Sequence, residues 1–192
     1  MQDTQRLWDA LQSDIARSSL AAATADVRTE ACGAGWPPGG STDAVVRFPV
    51  GELLPSADRL ALHENLLEVA AVLLGGHSAG MAGLRLVAAS LKFSDATASG
   101  VPVLSAASLM PRSEAVEFVL DLEDISHSLL HPLGVVAALP KRSGRGRLFM
   151  RVAYCRACDT WVRVDGFTGA VAGNTALIES LSPRQRCALG FP

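Results

Sequence analysis

The chain has 192 residues, is 49% hydrophobic and 19% charged, and carries a net charge of −2. That is one domain's length, with enough apolar residues for a real core and too many for intrinsic disorder. The longest apolar run, 69–74, is far short of the about 20 residues that cross a bilayer, so no membrane association is expected.

The first element is an N-terminal helical segment, residues 1–31. The pattern predicts an amphipathic helix over 3–24, capped by Asp3, with Leu7, Trp8, Leu11 and Ile15 on one stripe. Charges are interspersed along it and there is no apolar h-region, so it does not read as a signal peptide. The stripe fades after residue 18, and a Pro/Gly-rich linker is expected over 32–43, "CGAGWPPGGSTD". The helix is expected to pack on the body or to join a second copy in a homo-oligomer.

Residues 44–192 read as one α+β domain, with a mainly antiparallel sheet and a buried central helix. "AVVRFPV" (44–50) predicts a strand. Ser56 is expected to cap a helix over 57–74 that is apolar nearly all round beyond Leu66. Next comes "GHSAG" (76–80), which matches G-x-S-x-G. "VAAVLLGGHSAGMAGLRLVAAS" locally resembles the strand, elbow and helix of the α/β-hydrolase family, which implies Ser78 as the nucleophile of a small serine esterase. That family also needs a histidine base late in the chain, whereas the last histidine here is His131, and no HGGG-type oxyanion segment precedes the serine. In a glycine-rich chain the pattern arises by chance at odds of roughly one in ten.

Farther on, 84–93 fits either helix or strand, while 100–110 and 115–124 predict strands. In the latter Val116, Phe118, Leu120 and Leu122 share an apolar face, and Asp121, Glu123 and Asp124 read as a solvated strand end. "ISHSLLHPLGVVAAL" is expected to form a short helix stopped by Pro132, then a strand. His63-Glu64 lacks the second histidine of H-E-x-x-H, so a metalloprotease is not supported.

The C-terminal part is a basic β-hairpin module, residues 141–173, with strands expected at 147–156, 160–165 and 169–172. Asn174 and Ser182-Pro183 are expected to start two final short helices. Residues 1–140 hold 8 Lys+Arg against 16 Asp+Glu and residues 141–192 hold 9 against 3, so a basic module of net +6 sits on an acidic body of net −8.

Two chemistries are legible in this module. Cys155-x-x-Cys158 at a hairpin tip could chelate Zn2+. His127 and His131, four apart on a helix, would complete a Cys2His2 set, with Cys32 and Cys187 as substitutes. A thioredoxin-like dithiol fits less well, because CxxC there opens a helix. Separately, Lys141, Arg142, Arg145 and Arg147 line a loop beside a face of Phe149, Arg151, Trp161 and Arg163. Arginines hold phosphates and flat aromatics stack on bases, so this face suits single-stranded nucleic acid. It equally suits protein docking, or burial of the two aromatics with the arginines as a rim. Four cysteines in such a chain are not a disulfide scaffold, which points to a cytoplasmic setting.

The sequence therefore leads to a non-enzymatic interaction or adaptor protein whose basic module engages a protein or a nucleic acid, with zinc as its candidate cofactor. A Ser78 esterase is the alternative, and an acyl-binding hotdog-type fold is a more distant third.

Overall fold

The computed structural model describes residues 15–36, 43–47, 54–74, 83–94, 115–132, 147–157 and 175–191. Their architecture is mixed α+β, with an antiparallel sheet. In chain order the elements are α1 (Ile15–Gly33), β1 (Asp43–Arg47), α2 (Pro55–Ala61), α3 (Glu64–Leu73), β2 (Leu84–Ser94), β3 (Ala115–Asp121), a 3-10 turn (Ile125–His127), β4 (Leu129–Pro132), β5 (Arg147–Arg156), α4 (Thr175–Ser180) and α5 (Pro183–Leu189). The strands run β1-β2-β5-β3-β4, every neighbouring pair antiparallel. The late strand β5 is thus central. β2 carries an irregularity between Leu86 and Ala88, which locally bends it.

Period-two alternation sends one set of side chains to each face of this sheet. On the first face Phe118 and Leu120 of β3, Leu148, Met150, Val152 and Tyr154 of β5, and Leu86, Ala89 and Leu91 of β2 form a single core with Leu60, Leu66, Leu67 and Val69 of the helices. Burying each large side chain contributes roughly 1.5–3 kcal/mol. Phe118 and Tyr154 meet edge to face, ring centroids 5.8 Å apart. The Tyr154 hydroxyl donates to Ala61 O at 2.6 Å, fastening β5 to the end of α2.

Tyr154 is the chain's one tyrosine, and complete burial pushes its hydroxyl far above the ordinary value of 10.0. It follows that tyrosinate absorbance should not appear while the fold persists. The unfolded chain releases this proton near pH 10.0 and the folded chain does not, so this contribution is intact below that pH and lost above it. An alkaline titration should show tyrosinate and unfolding rising together; tyrosinate formed in a chain with native circular dichroism would refute the burial.

Several expectations need correction. The N-terminal helix does not fade near residue 24 but runs to Gly33. Its buried positions are Leu20, Thr24, Val27 and Ala31, a stripe at helical spacing that includes a threonine and an alanine. Cys32 and Gly33 of the expected linker thus belong to α1, a turn follows at 34–36, Asp43 opens β1, and residues 37–42 lie outside the described residues. Residues 57–74 are two helices, not one. The buried positions Leu60, Ala61, Leu62, Leu66, Leu67, Val69 and Ala70 would encircle a continuous helix, and the break at Leu62-His63 lets both pieces face the core. Ser56 does not cap α2. Pro55 opens that helix after Leu54, and Ser56 donates its N–H (2.8 Å) and hydroxyl (2.5 Å) to the Glu30 carboxylate of α1. A negative group from α1 thus sits on the first turn of α2, where the helix dipole favours it.

The expected short helix before Pro132 is a 3-10 turn followed by β4. Asp121 and Asp124 explain this. Asp121 Oδ1 accepts the Glu123 and Asp124 N–H groups at 3.0 and 3.2 Å, and Asp124 Oδ1 accepts from Ser126 N–H and hydroxyl at 3.1 and 2.6 Å. Side-chain acceptors that satisfy the backbone locally hold a turn in place of a helix. At the C-terminal end Ser182 caps α5 in a capping box with Gln185, Pro183 follows it, and Gly190 closes the helix at φ 91°. The Arg85 guanidinium of β2 donates to Cys187 O at that same end, where a cation complements the dipole. No helix among the described residues is long and apolar enough to cross a membrane.

Candidate functional site

The second face of the sheet is buried as well, and it is charged. Glu117 and Asp121 of β3 are 0% exposed, Lys92 of β2 is 2% exposed and Arg151 of β5 is 4% exposed. Antiparallel pairing sets Glu117 opposite Ala153 and Asp121 opposite Phe149. Each carboxylate then reaches one diagonal arginine. Arg151 Nη2 donates to Glu117 Oε2 at 2.6 Å. Arg147 Nη1 lies 2.7 Å from Asp121 Oδ2, an ion-pair distance without good hydrogen-bond angles. The other Asp121 oxygen is held by the turn described above, and the Asp121 N–H donates to Ser128 Oγ at 3.0 Å. Asp121 is therefore a buried structural anchor, not the solvated strand end expected from its acidic neighbours.

This geometry alters the expected binding face. Phe149 is 4% exposed, so it offers no flat surface on which a base could stack. Arg151 and Arg147 are committed to carboxylates of β3. Lys141, Arg142, Arg145, Trp161 and Arg163, the remaining members of that set, lie outside the described residues. The ionic face was missed in the sequence although its signal was there. Glu117 and Asp121 are four apart on one strand, Arg147 and Arg151 are four apart on another, and an antiparallel ladder pairs such sets in reverse order.

The proposed metal ligands do not assemble as a helical histidine pair would require. His127 ends the 3-10 turn and His131 lies in β4 opposite Glu117, so the two are not one helical turn apart. Cys155 is in β5 rather than at a hairpin tip, opposite Ala115 on one side and Arg85 on the other. β4 and β5 are separated by β3, which puts their backbones about 10 Å apart. The Cys155 side chain is buried and its thiol donates to Arg156 O at 3.2 Å. Cys187 is half-buried and Cys32 exposed, both as free thiols. Cys158 lies outside the described residues, among which no three His, Cys, Asp or Glu groups are placed to hold a metal.

Ser78 and the whole GHSAG stretch also lie outside the described residues. A different serine does meet an imidazole: Ser19 Oγ of α1 is 3.2 Å from His63 Nε2. Yet His63 Nδ1 accepts the Asn65 N–H at 3.3 Å as the N-cap of α3. A nitrogen that accepts carries no proton, so in the neutral ring Nε2 carries it and donates to Ser19. In that tautomer the ring cannot take the serine's proton, and the pair does not make an activated nucleophile.

Comparison with protein-family models, with curated proteins and with solved structures finds no match for this chain.

Proposed function

We propose that the chain is a non-enzymatic interaction protein that offers the basic segment around Lys141, Arg142 and Arg145 to an acidic protein partner. The observation that supports this is the internal neutralisation of Arg147 and Arg151 by Asp121 and Glu117. Those two arginines belong to the sheet. The cations of that set left to act outward in this reading are Arg163 and the three that precede β5 in sequence, which are interleaved with glycine and serine. Burial of Phe149 favours a protein over single-stranded nucleic acid, because stacking platforms require an accessible ring. Zinc at Cys155 and Cys158 is not needed for this role.

The reading predicts salt-sensitive binding of a short polyglutamate peptide, weakened about tenfold or more when Lys141, Arg142 and Arg145 are all changed to alanine. A short oligothymidylate should bind more weakly than the peptide at matched charge. Equal peptide binding by the triple variant, or tighter binding of the oligonucleotide, would overturn it.

A further inference from the structure

The joint between α1 and the body is built around His63. It follows Leu62 at the break between α2 and α3, with an extended backbone at φ −63° and ψ 128°. Its ring makes two contacts of different kinds. Nδ1 accepts from Asn65 N–H within the first turn of α3, and Nε2 meets the Ser19 hydroxyl of α1. Asn65 then reaches across the same joint, its side-chain N–H donating to Ala16 O at 3.1 Å. On the other side of the break Gln185 of α5 donates to Leu62 O at 2.8 Å. One imidazole therefore both starts α3 and ties α1 to it.

We propose that His63 is a pH-sensitive latch that holds the N-terminal half of α1 on the body when neutral and releases it when protonated. A proton on Nδ1 removes the acceptor that caps α3. It also places a cation at the N-terminus of that helix, where the dipole disfavours positive charge. Nε2 keeps its proton and its bond to Ser19 in both states, so release runs through Asn65: its backbone N–H loses its acceptor, and the Asn65–Ala16 contact that depends on the first turn of α3 loosens with it. The charges around the ring act in opposition. Partial burial lowers the His63 pKa from 6.5, while Glu64 pulls it back up. Glu64 is itself drawn toward α5, where Arg184 lies 3.8 Å away and Ser182 donates to it. From α1 the facing groups are the Ser19 hydroxyl and the Ala16 carbonyl, neither of which titrates near neutrality. Because the folded pKa is lowered, the unfolded chain binds the extra proton first. The latch is thus complete above pH 6.5 and is lost as the pH falls below it through the folded value.

Two further ties between α1 and the body, Glu30 on Ser56 and Arg28 with Glu123, lie toward the other end of the helix. Release is therefore confined to the N-terminal part of α1; it withdraws Leu20 and Thr24 from their buried positions while the sheet stays assembled.

Amide hydrogen exchange of the full chain, compared as protection factors at about pH 8 and about pH 5, tests this. Residues 15–24 should lose about tenfold or more in protection at the lower pH while β5 keeps its own. His63→Asn supplies a capping acceptor that cannot titrate, and it should hold α1 protected at both values. Unchanged protection in the native chain, or the same loss in H63N, would overturn the proposal. The imidazole resonance of His63 in the unaltered chain gives an independent reading: its midpoint should lie below that of a free histidine and coincide with the change in α1, and separate midpoints would equally overturn it.

Discussion

Arg151→Ala is expected to destabilise the fold by about 3–5 kcal/mol, the largest loss for removing one charge here. The variant leaves the Glu117 carboxylate, 0% exposed, in the sheet interior with its Arg151 counter-charge gone. Desolvation of that carboxylate is then offset by less attraction, and the loss exceeds what the pair contributes in total. Replacing both partners together, Glu117→Leu with Arg151→Met, should recover most of the deficit, because a packed apolar pair needs no counter-charge. Arg28→Ala is the control. Its ion pair with Glu123 spans 3.4 Å between side chains 41% and 46% exposed, where solvent screens the attraction, so stability should change by less than about 1 kcal/mol. Urea unfolding of the four proteins decides the matter. A cost for Arg151→Ala no greater than for Arg28→Ala would mean that the second face is not closed.

Phe118→Ala should cost a comparable 3–5 kcal/mol or about that, for a different reason. Phe118 is fully buried on the first face, against Tyr154. Truncation removes apolar contact from both the sheet and the helices and leaves a void that a strand flanked on both sides cannot collapse to fill. Phe118→Leu retains much of the volume and should cost about 1.5 kcal/mol or less. Equal costs for the two variants, measured as shifts in the urea midpoint at constant slope, would show that the site relaxes and that packing at the β3–β5 ladder is not tight.

What could be read in the sequence was what depends on local alternation. β3 and β5 each turn to the core the face that their period-two pattern assigns, with Phe118 and Leu120 buried and Val116 half-buried on β3, and Leu148 to Tyr154 buried on β5. The Ser182-Pro183 helix start is likewise a local code, held by side chains within three residues of each other. The failures came where a distant partner decides. Ser56 looks like a cap until Glu30 claims its N–H and hydroxyl. Residues 57–74 look continuous because nothing local shows that Leu62 must face the core along with Leu66 and Leu67. Arg151 and Phe149 look like a surface platform because isolated strands do not reveal that both faces of their sheet are covered. The paired spacings of Glu117/Asp121 and Arg147/Arg151 did contain that information, but only when two strands are read against each other.

The central position of β5 has a consequence for how the chain is assembled. Among the described strands β2 and β3 are successive, separated by residues 95–114, yet they do not pair; each pairs with β5 instead. Until Arg147–Arg156 has been synthesised, the described strands can form two separate ladders only, β1 with β2 and β3 with β4. Each half has an inner edge whose backbone groups await the same missing strand, and on one of them Glu117 and Asp121 stand without the arginines that neutralise them. The nascent protein is thus two unfinished half-sheets, joined and electrically balanced in a single late insertion.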